Sequence, residues 1–334
     1  MTSTTAVSQV DPGSLSWDSP SGVSEDVRRV VAAATASDGR GPLDEAAVLS
    51  LRHSGLTKSA LWVAELSGAD GAIAPQAPDN SVIGFVMADA PSGSSGDVEV
   101  NLVVAPSSRG DGVGRALAAV ALAALPDARV SAWSHGNHPA AAALASALGF
   151  DRVRDLWIMR RSLRDDLPEV RDIERTVVRA FEPGRDEDAF LELNAAAFAD
   201  HPEQGNMTRT ALDQRMAEDW FDPSGFFLAE SSTTSSSGSA RLLGFHWTKV
   251  PAVDSSYGEV YVVGVSPDAQ GMGLGKMLTL TGLHHLRSRG LNEVILHVES
   301  DNLAAVKVYE GLGFTHAEED TDVMYRRTRA RSRP

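Results

Sequence analysis

Two short stretches of the chain carry the residue types and spacing of an anion site. Ser108–Val120 reads SRGDGVGRALAAV, and Asp268–Leu280 reads DAQGMGLGKMLTL. In each, alternating glycines stand beside a basic residue and lead into an apolar run of helical spacing. A glycine-rich turn that opens a helix leaves backbone N–H groups unpaired at the positive end of the helix dipole, a setting suited to phosphate or pyrophosphate. The plain alternative is a turn that uses glycine only for its backbone angles. Two well-known phosphate loops fail on the residues that follow. The Walker loop needs Ser or Thr after Gly-Lys, whereas Met277 follows Gly275-Lys276 and Ala116 follows Gly114-Arg115. The dinucleotide fingerprint needs a third glycine where Lys276 and Arg115 stand. What remains is Gln/Arg-x-x-Gly-x-Gly: Gln270, Gly273 and Gly275 in one stretch, Arg109, Gly112 and Gly114 in the other.

The loops belong to a longer internal repeat. LWVAE at Leu61–Glu65 returns as FFLAE at Phe226–Glu230, and IGF at Ile83–Phe85 as LGF at Leu243–Phe245. The strand-like runs VNLVVAP (Val100–Pro106) and YVVGVSP (Tyr261–Pro267) precede the two loops. Downstream, NHPAAAALASALGF (Asn137–Phe150) matches NLAAVKVYEGLGF (Asn302–Phe314). The order of features is the same in both halves, at offsets of 160 to 165 residues. Each half alternates strands with helices, which predicts two tandem α/β domains with the glycine loop between a strand and a helix N-terminus. The expected boundaries are a disordered tail over 1–22, an N-terminal domain over 23–163, a charged linker over 164–175 and a C-terminal domain over 176–330. Ser92–Gly96 and Ser231–Ser239 read as solvated hairpin loops.

Composition narrows the chemistry. With 334 residues the chain can bury two cores, and its net charge of −15 argues against nucleic acid or an anionic membrane as partner. Cysteine is absent, so disulfides, a thiolate zinc site and a cysteine acyl-enzyme are excluded. The first twenty residues lack Lys and Arg and do not make a signal peptide. The Ala-rich run before Pro126 falls short of the roughly 18 apolar residues of a membrane span. His284, His285 and His316 show no metal-ligand spacing and read as surface residues, so no metal is expected. The expectation is a cytoplasmic protein that works as a monomer on a small molecule.

The loop pattern after a strand, with N-x-x-A…Y-E-x-x-G-F downstream, resembles the GCN5-related N-acetyltransferase superfamily, over about residues 24–163 and 176–327. The resemblance implies two domains, each a mixed, mostly antiparallel sheet flanked by helices, and acetyl-CoA as co-substrate. It implies pyrophosphate on the amides of Gln270, Gly271, Met272, Gly273, Leu274, Gly275 and Lys276. It sets the pantetheine arm along Val263, Gly264 and Val265, and the thiol end near Asn302, Leu303, Ala304, Ala305, Val306 and Lys307. In the N-terminal half, Leu102, Val103 and Val104 with Arg109, Gly110, Asp111, Gly112, Val113, Gly114 and Arg115 would hold a second, non-reacting CoA.

Transfer of acetyl to an amine needs a base for the ammonium and an acid for the departing thiolate. With no cysteine, direct attack in a ternary complex is the natural route. Glu259, on the strand leading to the C-terminal loop, is the expected base, acting through water; an exposed edge charge is the plain alternative. Tyr309 holds the superfamily's usual acid position, against a packed aromatic. Aligning Asn137 with Asn302 sets Leu144 or Ala145 opposite Tyr309, so the N-terminal half lacks the acid.

Further stretches, among them DGRGPLDE (Asp38–Glu45), AFADHPEQGN (Ala197–Asn206) and LLGFHWTKV (Leu242–Val250), resemble the mycothiol synthase family along nearly the whole chain. That family acetylates the cysteinyl amine of Cys-GlcN-Ins. The resemblance implies substrate contacts from Glu45, Glu203, Lys249 and Glu259. It also implies one from His297, where the family usually has Tyr; histidine still donates a hydrogen bond. Glu45 as a helix start, after Pro42 and Asp44, is the structural alternative. Two further readings stay open: the same fold acting on another small amine, and a CoA-binding module without catalysis.

Overall fold

The computed structural model describes residues 4–11, 17, 19–54, 59–67, 82–89, 97–199, 202–234, 240–251 and 255–327. It resolves into two units, Met1–Asp155 with Thr321–Pro334, and Leu156–Asp320. These do not follow the boundaries expected from the repeat. The reason is strand pairing: residues 156–162 pair with a strand of the second unit, and residues 323–327 pair with a strand of the first. The tail expected to be disordered is also corrected. Thr4–Gln9 is a strand paired residue for residue with Trp62–Ser67, and Val10 and Trp17 are buried in the core beside it.

Unit 1 runs β1 (Thr4–Gln9), α1 (Val23–Asp38), α2 (Glu45–Leu49), β2 (Ser59–Ser67), β3 (Val82–Asp89), β4 (Asp97–Val104), α3 (Val113–Ala124), β5 (Arg129–Ser134) and α4 (Pro139–Ala147). The strand β6 (Asp151–Ser162) begins in unit 1 and continues into unit 2. The sheet order is β1-β2-β3-β4-β5, antiparallel except for the parallel β4–β5 pair. β3 is buried on both faces, because α1 packs its Val27, Val30 and Ala34 on one side while α3 packs Val113, Leu117 and Ala121 on the other. The span Ser92–Gly96, read as a loop, lies outside the described residues.

Unit 2 continues with β7 (Thr176–Ala180), α5 (Glu187–Ala197), α6 (Pro202–Gly205), α7 (Arg209–Met216), β8 (Phe226–Thr234), β9 (Ala240–Lys249), β10 (Tyr257–Val265), α8 (Leu274–Ser288), β11 (Glu293–Glu299), α9 (Leu303–Glu310) and β12 (Thr315–Arg327). Its sheet order is β6-β11-β10-β9-β8-β7, again antiparallel except for β10–β11. Ser231–Thr234, expected in a loop, instead completes β8, and 235–239 lie outside the described residues. The last part of β12 returns to unit 1, where residues 323–327 pair with β5. There Asp322 accepts from Arg40, the Gly136 N–H and His135 at 2.7–2.9 Å. Burial opposes its ionisation, but His135, the Gly136 amide and Arg40 together hold its carboxyl below the usual range.

Two aromatic and imidazole contacts set β9, and through it β10. Phe226 stacks on Trp247 with centroids 4.6 Å apart, and Phe190 of α5 meets Phe226 and Phe245 edge-on at 5.0 and 4.9 Å. On the other face the fully buried His246 donates from Nδ1 to the Leu278 carbonyl at 2.7 Å, tying β9 to α8. Gly282 stands in the middle of α8 because a Cβ there would run into the His246 ring.

Burial lowers the His246 imidazole to about 4, so it folds neutral. A group whose folded value is depressed loses its contribution as pH falls. Unit 2 is therefore expected to lose up to about 3 kcal/mol between about pH 6.5 and pH 4. Urea unfolding followed across that range checks this, with His246→Leu expected to flatten the dependence. Gly282→Ala gains about 1 kcal/mol of helix propensity yet is expected to lower the melting temperature, because the ring cannot move out of the core.

Candidate functional site

β10 pairs with β11 only over Tyr257–Val260 against Glu293–Leu296. Beyond that point β10 keeps β9 as its partner through Val265, while β11 keeps β6 through Glu299. The two strands therefore fork, and the flank of β10 over Val263–Val265 turned toward β11 has no strand beside it among the described residues. An extended ligand can hydrogen-bond along such an edge.

The fork leads to the glycine loop. Gly271 and Gly273 have φ of 80° and 87°, in the left-handed region that favours glycine. Gly273 is the N-cap of α8 and offers no side chain to its first amides. The 15-residue helix thus opens with N–H groups that no side chain caps and its dipole pointing at the turn, a setting suited to an anion. Leu274 is buried, Lys276 is exposed and Met272 is 47 % exposed, so the loop presents backbone and one cation. Gly264 brings β10 close to Phe245, whose ring a Cβ would strike. At α9, Asn302 caps the helix by accepting from the Ala305 N–H at 3.2 Å. Leu303, Ala304 and Lys307 are exposed, whereas Val306 is buried in the core and can contribute only its backbone. The set fits an extended, phosphorylated arm.

The polar residues gather where the strands part. Glu259 of β10 stands opposite Lys249 of β9 in register, and its Oε1 lies 3.2 Å from Nδ1 of His297 on β11. Glu259 is not an edge charge; its side chain is 14 % exposed, against 36 % for His297. Lys249 Nζ sits 4.5 Å from the Trp220 ring centroid and 5.0 Å from that of Tyr261, and Arg215 Nε donates to the Tyr261 hydroxyl at 2.8 Å. Cation–π contacts of this kind contribute about 0.5–2 kcal/mol and hold the ammonium in one place. Trp220, Tyr261 and Arg215 escaped the sequence analysis, because they come from three separate segments with no shared spacing.

Tyr309 packs edge-on against Phe314, with centroids 5.8 Å apart, on the same apolar cluster that Val263 borders. Burial pushes its phenol up to about 12, so it stays protonated at neutral pH and keeps an O–H to donate. Glu203 falls on α6, and its side chain lies outside the described residues. Of the histidines read as surface residues, His316 stacks on Trp157 at 4.4 Å and His285 meets Phe227 edge-on, while His284 makes an exposed contact with the Pro168 carbonyl. Among the described residues no group of His, Asp and Glu is arranged to hold a metal.

Unit 1 repeats the fork, since β4 pairs with β5 only over Asp97–Glu99 and Val100–Val104 has β3 alone. Gly110 and Gly112 have φ of 91° and 83°, and Gly112 caps α3. A pocket of about 540 Å³ lies over Leu102, Val104, Arg109, Gly112 and Arg115. The Arg109 guanidinium, however, is engaged by the Asp38 carboxylate at 2.7 and 2.8 Å, and Val113 is buried in the core. Leu144 and Ala145, the two residues that could align with Tyr309, both line this pocket and bring no proton. Glu45 opens α2, and Asp44 caps it by accepting from the Ala47 N–H. The helix-start reading of this segment thus holds, with Asp44 as the cap and Glu45 in the first turn.

The acetyltransferase (GNAT) family model matches residues 51–150 and 189–314. A mycothiol acetyltransferase of Nocardioides sp. is 49% identical over 90% of this chain and 96% of its own length. One of Thermobispora bispora is 47% identical, over 92% and 96%. Among solved structures, a tandem GNAT protein from the clavulanic acid biosynthesis pathway aligns with TM-score 0.69 at 21% identity, over 98% of this chain and all of that one. That likeness speaks to the fold alone.

Replacing Gly273 by Val forces a β-branched residue to φ near 87° at the mouth of the loop. Titration calorimetry with CoA is expected to give at least about tenfold weaker binding, on the order of 1.4 kcal/mol. The equivalent change at the non-loop Gly290, also at positive φ, is expected to leave CoA affinity unchanged.

Proposed function

The chain belongs to the acetyltransferase (GNAT) family and to its mycothiol acetyltransferases, and on that premise we propose the acceptor and the proton carriers of its reaction. It is an acetyl-CoA-dependent N-acetyltransferase of mycothiol biosynthesis. The proposed acceptor is the cysteinyl amine of Cys-GlcN-Ins (desacetylmycothiol), and the products are mycothiol and CoA. The observation that carries this reading is the cluster of Lys249 opposite Glu259, with His297 in contact with Glu259, at the parting of β10 and β11, one strand run from an uncapped glycine loop. A carboxylate there can relieve an ammonium of its proton, and it also stabilises the approach of a cationic substrate.

In this reading the amine attacks the thioester directly. Glu259 takes the ammonium proton through water, and Tyr309 faces the departing sulfur. A phenol raised to about 12 does not yield its proton outright to a thiolate whose acid lies near about 8.5. Tyr309 acts first by hydrogen-bonding the developing charge and completes the transfer as the amide nitrogen gives up its second proton. The candidate substrate ligands are Glu45, Glu203, Lys249, Glu259 and His297. Unit 1 is proposed to hold a second, non-reacting CoA, supported by its fork, its glycine loop and its pocket. The enzyme is taken to act as a cytoplasmic monomer without nucleic-acid or membrane partner, in keeping with a net charge of −15. No described helix is long and apolar enough to cross a membrane.

CoA release from acetyl-CoA with Cys-GlcN-Ins tests the reading. Turnover is expected, with Tyr309→Phe lowering kcat by about 10²-fold or more at unchanged acetyl-CoA affinity. Glu45→Ala is expected to raise KM for the amine at least about tenfold while changing kcat little. CoA release with other amines but not with this one would overturn the acceptor and leave the fold and cofactor intact.

A further inference from the structure

We infer that His297 and Glu259 work as a histidine–carboxylate dyad, with the imidazole rather than the carboxylate receiving the proton of the acceptor amine. The inference rests on the acetyl-transfer reading above and changes which atom does the proton work. Its basis is the contact of His297 Nδ1 with Glu259 Oε1 at 3.2 Å. A carboxylate at Nδ1 selects the tautomer with the proton on that nitrogen, which makes Nε2, on the far edge of the ring, the basic atom. Exposure decides which partner meets the substrate: His297 is 36 % exposed and Glu259 only 14 %. An incoming ammonium reaches the imidazole first, and Glu259 serves from behind.

Position agrees with this division. His297 is the first residue of β11 beyond the last one paired with β10, so it stands at the throat of the fork. From there the open flank of β10 runs about 13 Å from Tyr261 to Val265 toward the phosphate loop. The titratable and charged groups on the ring's side of the sheet come from four strands, Glu259 being the one in contact with it. They are Glu259 and Tyr257 of β10, Lys249 of β9, Glu293 and Glu299 of β11, and Arg160 of β6, itself held by Asp320 at 2.7 Å and Glu293 at 3.2 Å.

The step balances without any further reagent. The ammonium loses one proton to Nε2, and the imidazolium is stabilised by the Glu259 carboxylate. The freed amine forms the C–N bond as the C–S bond breaks. The second nitrogen proton is made up to the sulfur through Tyr309, and the dyad returns its proton to solvent.

The experiment measures kcat and KM for the amine with saturating acetyl-CoA from about pH 5.5 to 9, spanning the range in which imidazoles titrate. His297→Gln and His297→Tyr are compared with wild type, and acetyl-CoA binding by calorimetry verifies that each is folded. Both variants are expected to lose kcat by about 10²-fold, with the acid limb of the profile displaced toward the carboxylate range. Glu259→Gln is expected to keep an acid limb, moved to lower pH because the imidazolium has lost its carboxylate. The dyad is overturned if His297→Tyr retains kcat within about threefold and changes only KM, the mark of a substrate contact. It is equally overturned if Glu259→Gln abolishes the limb. Wild-type turnover on another amine and not on this one would remove the acceptor assignment instead, and the same series on that amine then decides on the dyad.

Discussion

The working geometry depends on one interruption in a sheet. β10 and β11 are parallel partners for four residues and then part, while each keeps its antiparallel neighbour on the other side. A parallel pair that stays zipped would consume the backbone groups of Val263–Val265 and close the space between the strands. By parting, the sheet leaves an edge for an extended ligand and carries Glu259 and His297 to the bottom of the gap. The parting is tolerated because the structure is strong elsewhere. The Phe190–Phe226–Phe245–Trp247 rings clamp β8 and β9 to α5, and His246 pins β9 to α8, so β10 has a rigid floor. Those groups never touch substrate, yet they determine where the reactive ones stand.

The same interruption appears in both units, whereas the residues around it differ. Unit 1 retains the fork, the two left-handed glycines and an uncapped helix. Two differences are specific: Leu144 or Ala145 stands opposite the phenol of unit 2, and Arg109, at the place of Gln270, is turned to Asp38. The Asp38 carboxyl is held below its usual range chiefly by its hydrogen bonds to Arg109, so the pair is a strong tie between α1 and the loop. A ligand there meets a loop already braced by the protein. The cations at the start of the two helices, Arg115 and Lys276, are both exposed.

The cluster at the throat also shows why single residues read poorly from a sequence and well from a fold. Glu259, Lys249 and His297 lie on three strands, 10 and 38 residues apart from Glu259 to its two neighbours. They become neighbours only because β9 and β11 both pair with β10, Lys249 directly opposite Glu259 and His297 two residues beyond its partner Ile295, hence on the same face. The aromatic enclosure of Lys249 adds residues from α7, from the turn after it and from β10, which no periodicity links.

The sequence by itself determined the repeat, the α/β alternation, the two glycine loops and the want of a tyrosine at the matching place in the first half. Each of these is a local pattern of glycine spacing, strand alternation or residue identity, and local patterns survive without knowledge of neighbours. Tertiary structure alone decided three things. Thr4–Gln9 became a strand rather than a tail because β2 offered it a partner. β6 and β12 each divide between the two units because their halves find partners on different strands, β11 and β5, and strand pairing is a long-range choice that no window of sequence contains. His297 acquired a carboxylate partner through register across two strands, and a one-residue slip would have turned its ring to the opposite face of the sheet.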